Sequence, residues 1–193
     1  MIVTTQGLKE KYKGLSDPAG RIARDVKNGK IIPLVKGIYE TDGNVSGSML
    51  AQVMYGPSYL SFDYALYYAG LIPEAVYSTF TSATYNKRKI KRYKNKFGDF
   101  IYRDVPKDVF WLGVNLIEDG SYTYHMASPE KALCDTIYTL PPLGNRAALY
   151  EALFDDLRID EDTFDSLNRD HLLKLAPLYH SKNLKLLEGI IGG

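Results

Sequence analysis

Apolar residues recur at three- and four-residue intervals near both ends of this chain and alternate with polar ones through its middle. That pattern predicts helices on either side of a group of strands. At the start, Leu8 and Tyr12 lie four apart in a short helix that Thr4 or Thr5 can cap, with Lys9, Lys11 and Lys13 facing water. A second helix has its signals in order: Asp17 at the N-cap, Pro18 at the first helical position and Gly29 just past the end. Between them Ala19, Ile22, Ala23 and Val26 share one face and are expected to be buried, with Arg21, Arg24 and Lys27 on the opposite side. Lys30 to Val35 then reads as a strand, Lys36-Gly37 as a two-residue turn, and Ile38-Tyr39 as the returning strand. Pro33 lacks a backbone donor, which suits an edge.

Residues 41–48, rich in Gly, Ser and Asn, read as a linker. Helices are expected over 49–54 and 58–69, the second stopped by Gly70. Strand patterns follow over 76–84, 89–94, 97–105 and 109–117, and Asp119-Gly120 turns the chain into the alternating Tyr122-Thr123-Tyr124-His125-Met126. From Ser128 onward the spacing is helical over 128–138, 145–157, 160–167, 170–178 and 181–190, punctuated by Pro141-Pro142 and Pro177. The expected fold class is α+β. An N-terminal winged helix-turn-helix occupies residues 1–45, and a mixed domain over 46–193 carries a central, mainly antiparallel sheet followed by C-terminal helices.

Charge turns the first segment into a candidate site. A helix with an apolar back and a guanidinium-rich front suits the major groove of DNA. Arg21, Arg24 and Lys27 are expected to face that groove, with Lys13 and Ser16 near the helix entry and Lys30 and Lys36 on the phosphate backbone. Helix, turn, helix and hairpin is the order of a winged helix. Most winged helices carry one helix more, and only Met1-Ile2-Val3 precedes this pair, so the domain is abridged or a later segment supports it. A solvated surface helix with a packing hairpin is the other reading of the same residues.

The chain as a whole has 24 basic and 23 acidic residues, so attraction to nucleic acid has to come from local patches. A second basic run, Lys87, Arg88, Lys89, Lys91, Arg92 and Lys94, is interleaved with Tyr85, Tyr93 and Phe97. It reads either as a further phosphate or RNA contact or as an edge strand guarded by lysines. The C-terminal helices are acidic, which is expected of a solvated face. Cys134 is the only cysteine, so no internal disulfide or cysteine-rich metal site is expected. With no secretory pattern at Met1-Ile2-Val3 and no run of membrane-spanning length, a cytoplasmic protein is expected.

Ser128-Pro129-Glu130-Lys131-Ala132-Leu133-Cys134-Asp135 is first of all a helix start: Ser128 caps, Pro129 takes the first turn and Glu130 complements the dipole. The same segment resembles the Ser-Pro-Glu-Lys-Ala-Leu-x-Asp signature of the AbiEi family of antitoxins, with Ser128, Pro129, Glu130, Lys131 and Asp135 as its marked positions. Residues 28–39 are similar to the family's winged-helix ending. Gly56-Pro57-Ser58-Tyr59-Leu60-Ser61 with Ala65-Leu66 and Gly70-Leu71 is similar to the entry of its second domain. The resemblance implies an antitoxin of a type IV toxin–antitoxin, or abortive infection, system. Such a protein represses its own promoter by binding inverted repeats in double-stranded DNA. Its functional counterpart is a nucleotidyltransferase-like toxin, opposed without a stable complex. No cofactor, metal or catalytic residue is implied.

Enzyme readings find little to stand on. A metal-dependent nuclease needs a carboxylate followed by Glu-x-Lys on the next strand; Asp99 and Asp104 border strands but lack that partner. His125, His171 and His180 lack zinc-ligand spacing, Cys134 falls in an apolar stripe, and no glycine-rich phosphate loop is present. A nuclease-like domain, active or inactive, and an interaction module without DNA binding remain the alternatives.

Overall fold

A computed structural model describes residues 1–73 and 78–192. The chain opens with strand β1 (Ile2–Thr4), helix α1 (Thr5–Lys11), helix α2 (Pro18–Lys27) and the hairpin β2 (Ile32–Val35) and β3 (Ile38–Glu40). The caps form as the sequence requires. The Thr4 side chain accepts from the Gly7 N–H, Asp17 Oδ1 accepts from the Gly20 N–H at 2.8 Å, and Gly29 takes φ +69° to release the chain into β2. The first residues form β1, which pairs antiparallel with β3 and completes a three-stranded sheet in the order β1-β3-β2. Leu8, Ile22 and Ile31 make a small core beneath it, joined by Val3, Tyr12, Val26 and Tyr39.

The rest of the chain builds a six-stranded mixed sheet. Its elements are α3 (Gly47–Met54), β4 (Tyr59–Leu60), α4 (Phe62–Tyr68), β5 (Thr79–Thr84), β6 (Lys91–Asn95), β7 (Gly98–Asp104), β8 (Val114–Asp119) and β9 (Tyr122–Ala127), in sheet order β6-β7-β5-β4-β9-β8. Pairs β6/β7, β4/β5 and β8/β9 are antiparallel, whereas β5/β7 and β4/β9 are parallel. Helices α5 (Pro129–Thr139), α6 (Arg146–Glu151), α7 (Glu161–Asp165), α8 (Arg169–Leu175) and α9 (Lys182–Ile191) follow. The architecture is α+β.

Three expected elements differ. The strand expected over 109–117 begins only at Val114 as β8, because a 3-10 turn over Lys107–Val109 buries Val109 and Phe110 first. Residues 58–69 do not form one helix, because Tyr59 and Leu60 are fully buried as β4 between β5 and β9, and only then does α4 begin. Residues 145–157 begin as α6 and widen into a π-helical turn over Ala152–Asp156. Val76 and Tyr77, expected to open a strand, lie outside the described residues.

The hairpin sits on the larger unit. Leu34 belongs to the large core alongside Leu50 and Met54, and its carbonyl accepts from Asn95 Nδ2 of β6 at 3.3 Å. From the other side, the Tyr122 hydroxyl of β9 donates to Glu40 Oε2 of β3 at 2.9 Å. No helix among the described residues is long and apolar enough to cross a membrane.

Candidate nucleic-acid interface

Helix α2 presents its cations less uniformly than the wheel suggests. Arg24, Lys27 and Lys30 are exposed and hold no ion pair among the described residues. Arg21 is committed elsewhere. Its Nε donates to both oxygens of Asp25, at 3.2 and 3.1 Å, and its guanidinium lies 5.5 Å from the centroid of the Tyr12 ring. The Tyr12 hydroxyl donates to Asp25 Oδ2 at 2.8 Å. That hydrogen bond, reinforced by Arg21 against the opposing effect of burial, holds the Asp25 carboxyl below the usual carboxylate range. Arg21 is nevertheless only partly covered, with 40% of its side chain exposed.

Asp25 also explains a correction. Ala19 and Ala23, expected to be buried with Ile22 and Val26, are exposed. Because its charge is satisfied by Tyr12 and Arg21, Asp25 takes the core-facing position beside Ile22, and the apolar stripe is rotated outward. The two flanks of α2 therefore differ. One borders a hollow of about 350 Å³ lined by Ser16, Arg21, Arg24, Asp25 and Lys30. On the other flank Ala19, Ala23 and Val26 line an open apolar groove of about 530 Å³ with Thr5, Lys9, Pro33 and Tyr39. The Lys36-Gly37 turn belongs to this second flank, since the Gly37 carbonyl accepts from the Thr5 N–H at 2.9 Å. Lys36 is exposed. Lys13, past the end of α1, is exposed and ion-paired with Glu10. Ser16, Arg21, Arg24 and Lys30 are thus brought together, and Lys13 and Lys36 stand apart from them.

The second basic run is divided by the fold. Lys91, Arg92 and Lys94 lie on β6, a sheet edge, where Lys91 sits 4.9 Å from the Tyr93 ring centroid and Lys94 pairs with Asp99 at 3.2 Å. Lys87 Nζ donates to the Gly56 carbonyl at 3.2 Å and lies over Tyr55. Arg88 and Lys89 line a separate hollow with Arg103 of β7.

The Ser128–Asp135 segment is interior. Ser128 Oγ caps α5 by accepting from the Lys131 N–H at 3.2 Å and donates to Glu130 Oε2 at 2.9 Å. Glu130 Oε1 accepts from the Asn168 N–H at 3.1 Å, and Oε2 lies 3.4 Å from His171 Nδ1, tying α5 to α8. Lys131 and Asp135 are wholly buried and paired at 2.9 Å. Around them Tyr59, Ser61 and Tyr179 hydroxyls donate to Asp135 at 2.9, 2.7 and 2.6 Å, and Lys131 Nζ also donates to Tyr179 at 2.6 Å. Burial pulls the Lys131 ammonium below its ordinary range, opposed by Asp135, and pushes the Tyr59 and Tyr179 hydroxyls up. Every group in the cluster has a partner, so this is a fold-organising lock joining β4, α5 and the turn before α9. Sequence reasoning missed Tyr12, Asp25, Tyr59, Ser61 and Tyr179. The i,i+4 spacing of Arg21 with Asp25, and of Lys131 with Asp135, was the available signal.

His125 bonds Gln52 through Nδ1 at 2.9 Å, and Cys134 is buried with its thiol pushed up by burial. Among the described residues no group of three or more His, Cys, Asp or Glu side chains is placed to hold a metal ion. Asp99 and Asp104 lie five residues apart on β7, roughly 17 Å along the strand. Asp104 is occupied by Thr84 and by the N–H groups of Lys87 and Arg88. No protein-family model and no curated protein matches the chain.

Proposed function

We propose that the N-terminal unit is a winged helix that binds double-stranded DNA, and that the chain is an antitoxin of the AbiEi type which represses its own promoter. The observation that carries the reading is the order β1-α1-α2-β2-β3 with sheet order β1-β3-β2, combined with three exposed cations on and just after α2 that hold no ion pair among the described residues. In this reading α2 enters the major groove. Arg24 and Lys27 reach outward, Lys30 holds phosphate, and Lys36 contacts the backbone from the hairpin turn. Arg21 serves as a positioning residue: its bonds to Asp25 and its stacking on Tyr12 fix α2 against α1. Residues 1–45 and 46–193 are two functional parts, the second opposing a nucleotidyltransferase-like toxin without a stable complex. The Ser128–Asp135 segment, on which the resemblance rests, is a buried lock within the larger unit.

One observation favours a second reading. The open groove along Ala19, Ala23, Val26, Pro33 and Tyr39 suits an interaction module that docks a partner and ignores DNA. Titrating the chain against the DNA upstream of its own reading frame separates the two. A salt-sensitive shift that is lost in Arg24→Ala/Lys27→Ala supports the first, and no shift at any salt supports the second.

A further inference from the structure

A hollow of about 320 Å³ opens between the β5–β6 turn, β7 and the last turn of α5, lined by Arg88, Lys89, Ile90, Arg103, Asp104 and Thr139. Three cations meet one carboxylate there. Neither Arg88, Lys89 nor Arg103 holds an ion pair among the described residues, and Arg103 Nε is buried without a hydrogen-bond partner. A buried guanidinium nitrogen left unmatched is costly, and a water or an anion in the hollow would satisfy it.

The surroundings hold these groups in place. Asp104 spends both oxygens on the chain. Oδ1 accepts from Thr84 Oγ1 at 2.7 Å, and Oδ2 accepts from the N–H groups of Lys87 and Arg88 at 2.7 and 2.6 Å. Those bonds fix a turn in which Asn86 and Arg88 both adopt left-handed backbone, at φ 57° and 58°. Beneath Arg103, the fully buried Phe62 also has a left-handed φ of 55°, a strained choice for an aromatic residue, and its ring centroid lies 5.5 Å from the guanidinium. Ser61 and Thr81 hold that backbone, with the Thr81 hydroxyl donating to the Ser61 carbonyl at 2.6 Å. These bonds hold the Arg88 backbone and the Arg103 guanidinium at the hollow.

We infer that this hollow is a phosphate-binding site, in which Arg103 and Arg88 grip a phosphate group and Lys89 neutralises it. Guanidinium forks match phosphate oxygens in pairs, and a lysine adds a point charge. The volume exceeds what an inorganic ion needs, and the exposed Ile90 offers an apolar rim to whatever the phosphate is attached to. The phosphate belongs either to a free phosphorylated metabolite or to the backbone of a nucleic-acid strand.

The test titrates pyrophosphate, adenosine monophosphate and a single-stranded DNA dodecamer into the full chain while the arginine Nε–H resonances are followed by NMR. The Arg103 Nε–H signal is expected to shift, with the apparent Kd raised at least tenfold by Arg88→Ala/Lys89→Ala, an exposed pair whose loss leaves the fold intact. Arg103→Lys is expected to recover part of what Arg103→Gln loses. Saturation by pyrophosphate or the mononucleotide assigns a free ligand, and saturation by the strand alone assigns a nucleic-acid backbone. An Arg103 signal unmoved by all three probes, or Kd values unchanged in Arg88→Ala/Lys89→Ala, overturns the site.

Discussion

The Lys131 ammonium lies 2.9 Å from the Asp135 carboxylate, one turn further along α5, and neither side chain reaches solvent. A pair so placed gains its Coulomb energy at low dielectric but pays heavily for desolvation. Its stability depends on the hydroxyls of Tyr59, Ser61 and Tyr179 completing the shell. Those donors come from a strand and a turn far away in sequence, so the pair also records that the large unit has assembled in one way only.

Breaking the pair from one side leaves a buried charge uncompensated. Lys131→Met and Asp135→Asn, each alone, are expected to lower unfolding free energy by about 3–5 kcal/mol, measured by urea titration. A loss under about 1 kcal/mol is what an exposed pair would give and would contradict the structure.

Acid should loosen the small unit through Asp25. Its native value is held below the ordinary aspartate value of about 3.9, so its contribution is present above that value and is lost as pH falls through the lower one. Asp25→Asn should therefore be less stable than wild type at neutral pH, and the gap should close on acidification. Thermal melts followed by circular dichroism across that range read the difference; a gap that stays constant with pH would exclude this role for Asp25.

Tyr122 couples the two units at the alkaline end. Burial, and donation of its proton to Glu40, push its hydroxyl up to about 12. A raised value means the contribution is intact below the ordinary tyrosine value of about 10 and is lost as pH rises through about 12. Tyr122→Phe should lower stability by about 1–3 kcal/mol at neutral pH and flatten this alkaline loss. Tyrosinate absorbance should show one titration near 12 that is missing from the variant.

Local chemistry made much of this fold readable in advance. Asp17, Pro18 and Gly29 bound α2, Ser128 and Pro129 start α5, and Lys91, Arg92 and Lys94 guard a sheet edge because each effect acts within a few residues. What stayed hidden depends on partners distant in sequence. Tyr59-Leu60 looks helical until β5 and β9 close around it. Lys131 and Asp135 look solvated until Tyr59, Ser61 and Tyr179 arrive. At the candidate interface, helical spacing separated Arg24 and Lys27 from the core. It could not show that Asp25 would be buried and, with Tyr12, draw Arg21 back and leave Ala19 and Ala23 outside.

The central claim is that α2 and Lys30, three residues past its end, meet groove and phosphate. It is tested most directly by the salt dependence of binding to the chain's own upstream DNA, wild type against Arg24→Ala/Lys27→Ala/Lys30→Ala. With Arg24 and Lys27 in the groove and Lys30 on phosphate, the triple variant should lose most of its affinity, and the Lys30 contact should take about 0.9 off the slope of log Kobs against log salt. An unchanged slope, with the fold intact by circular dichroism, would contradict the account.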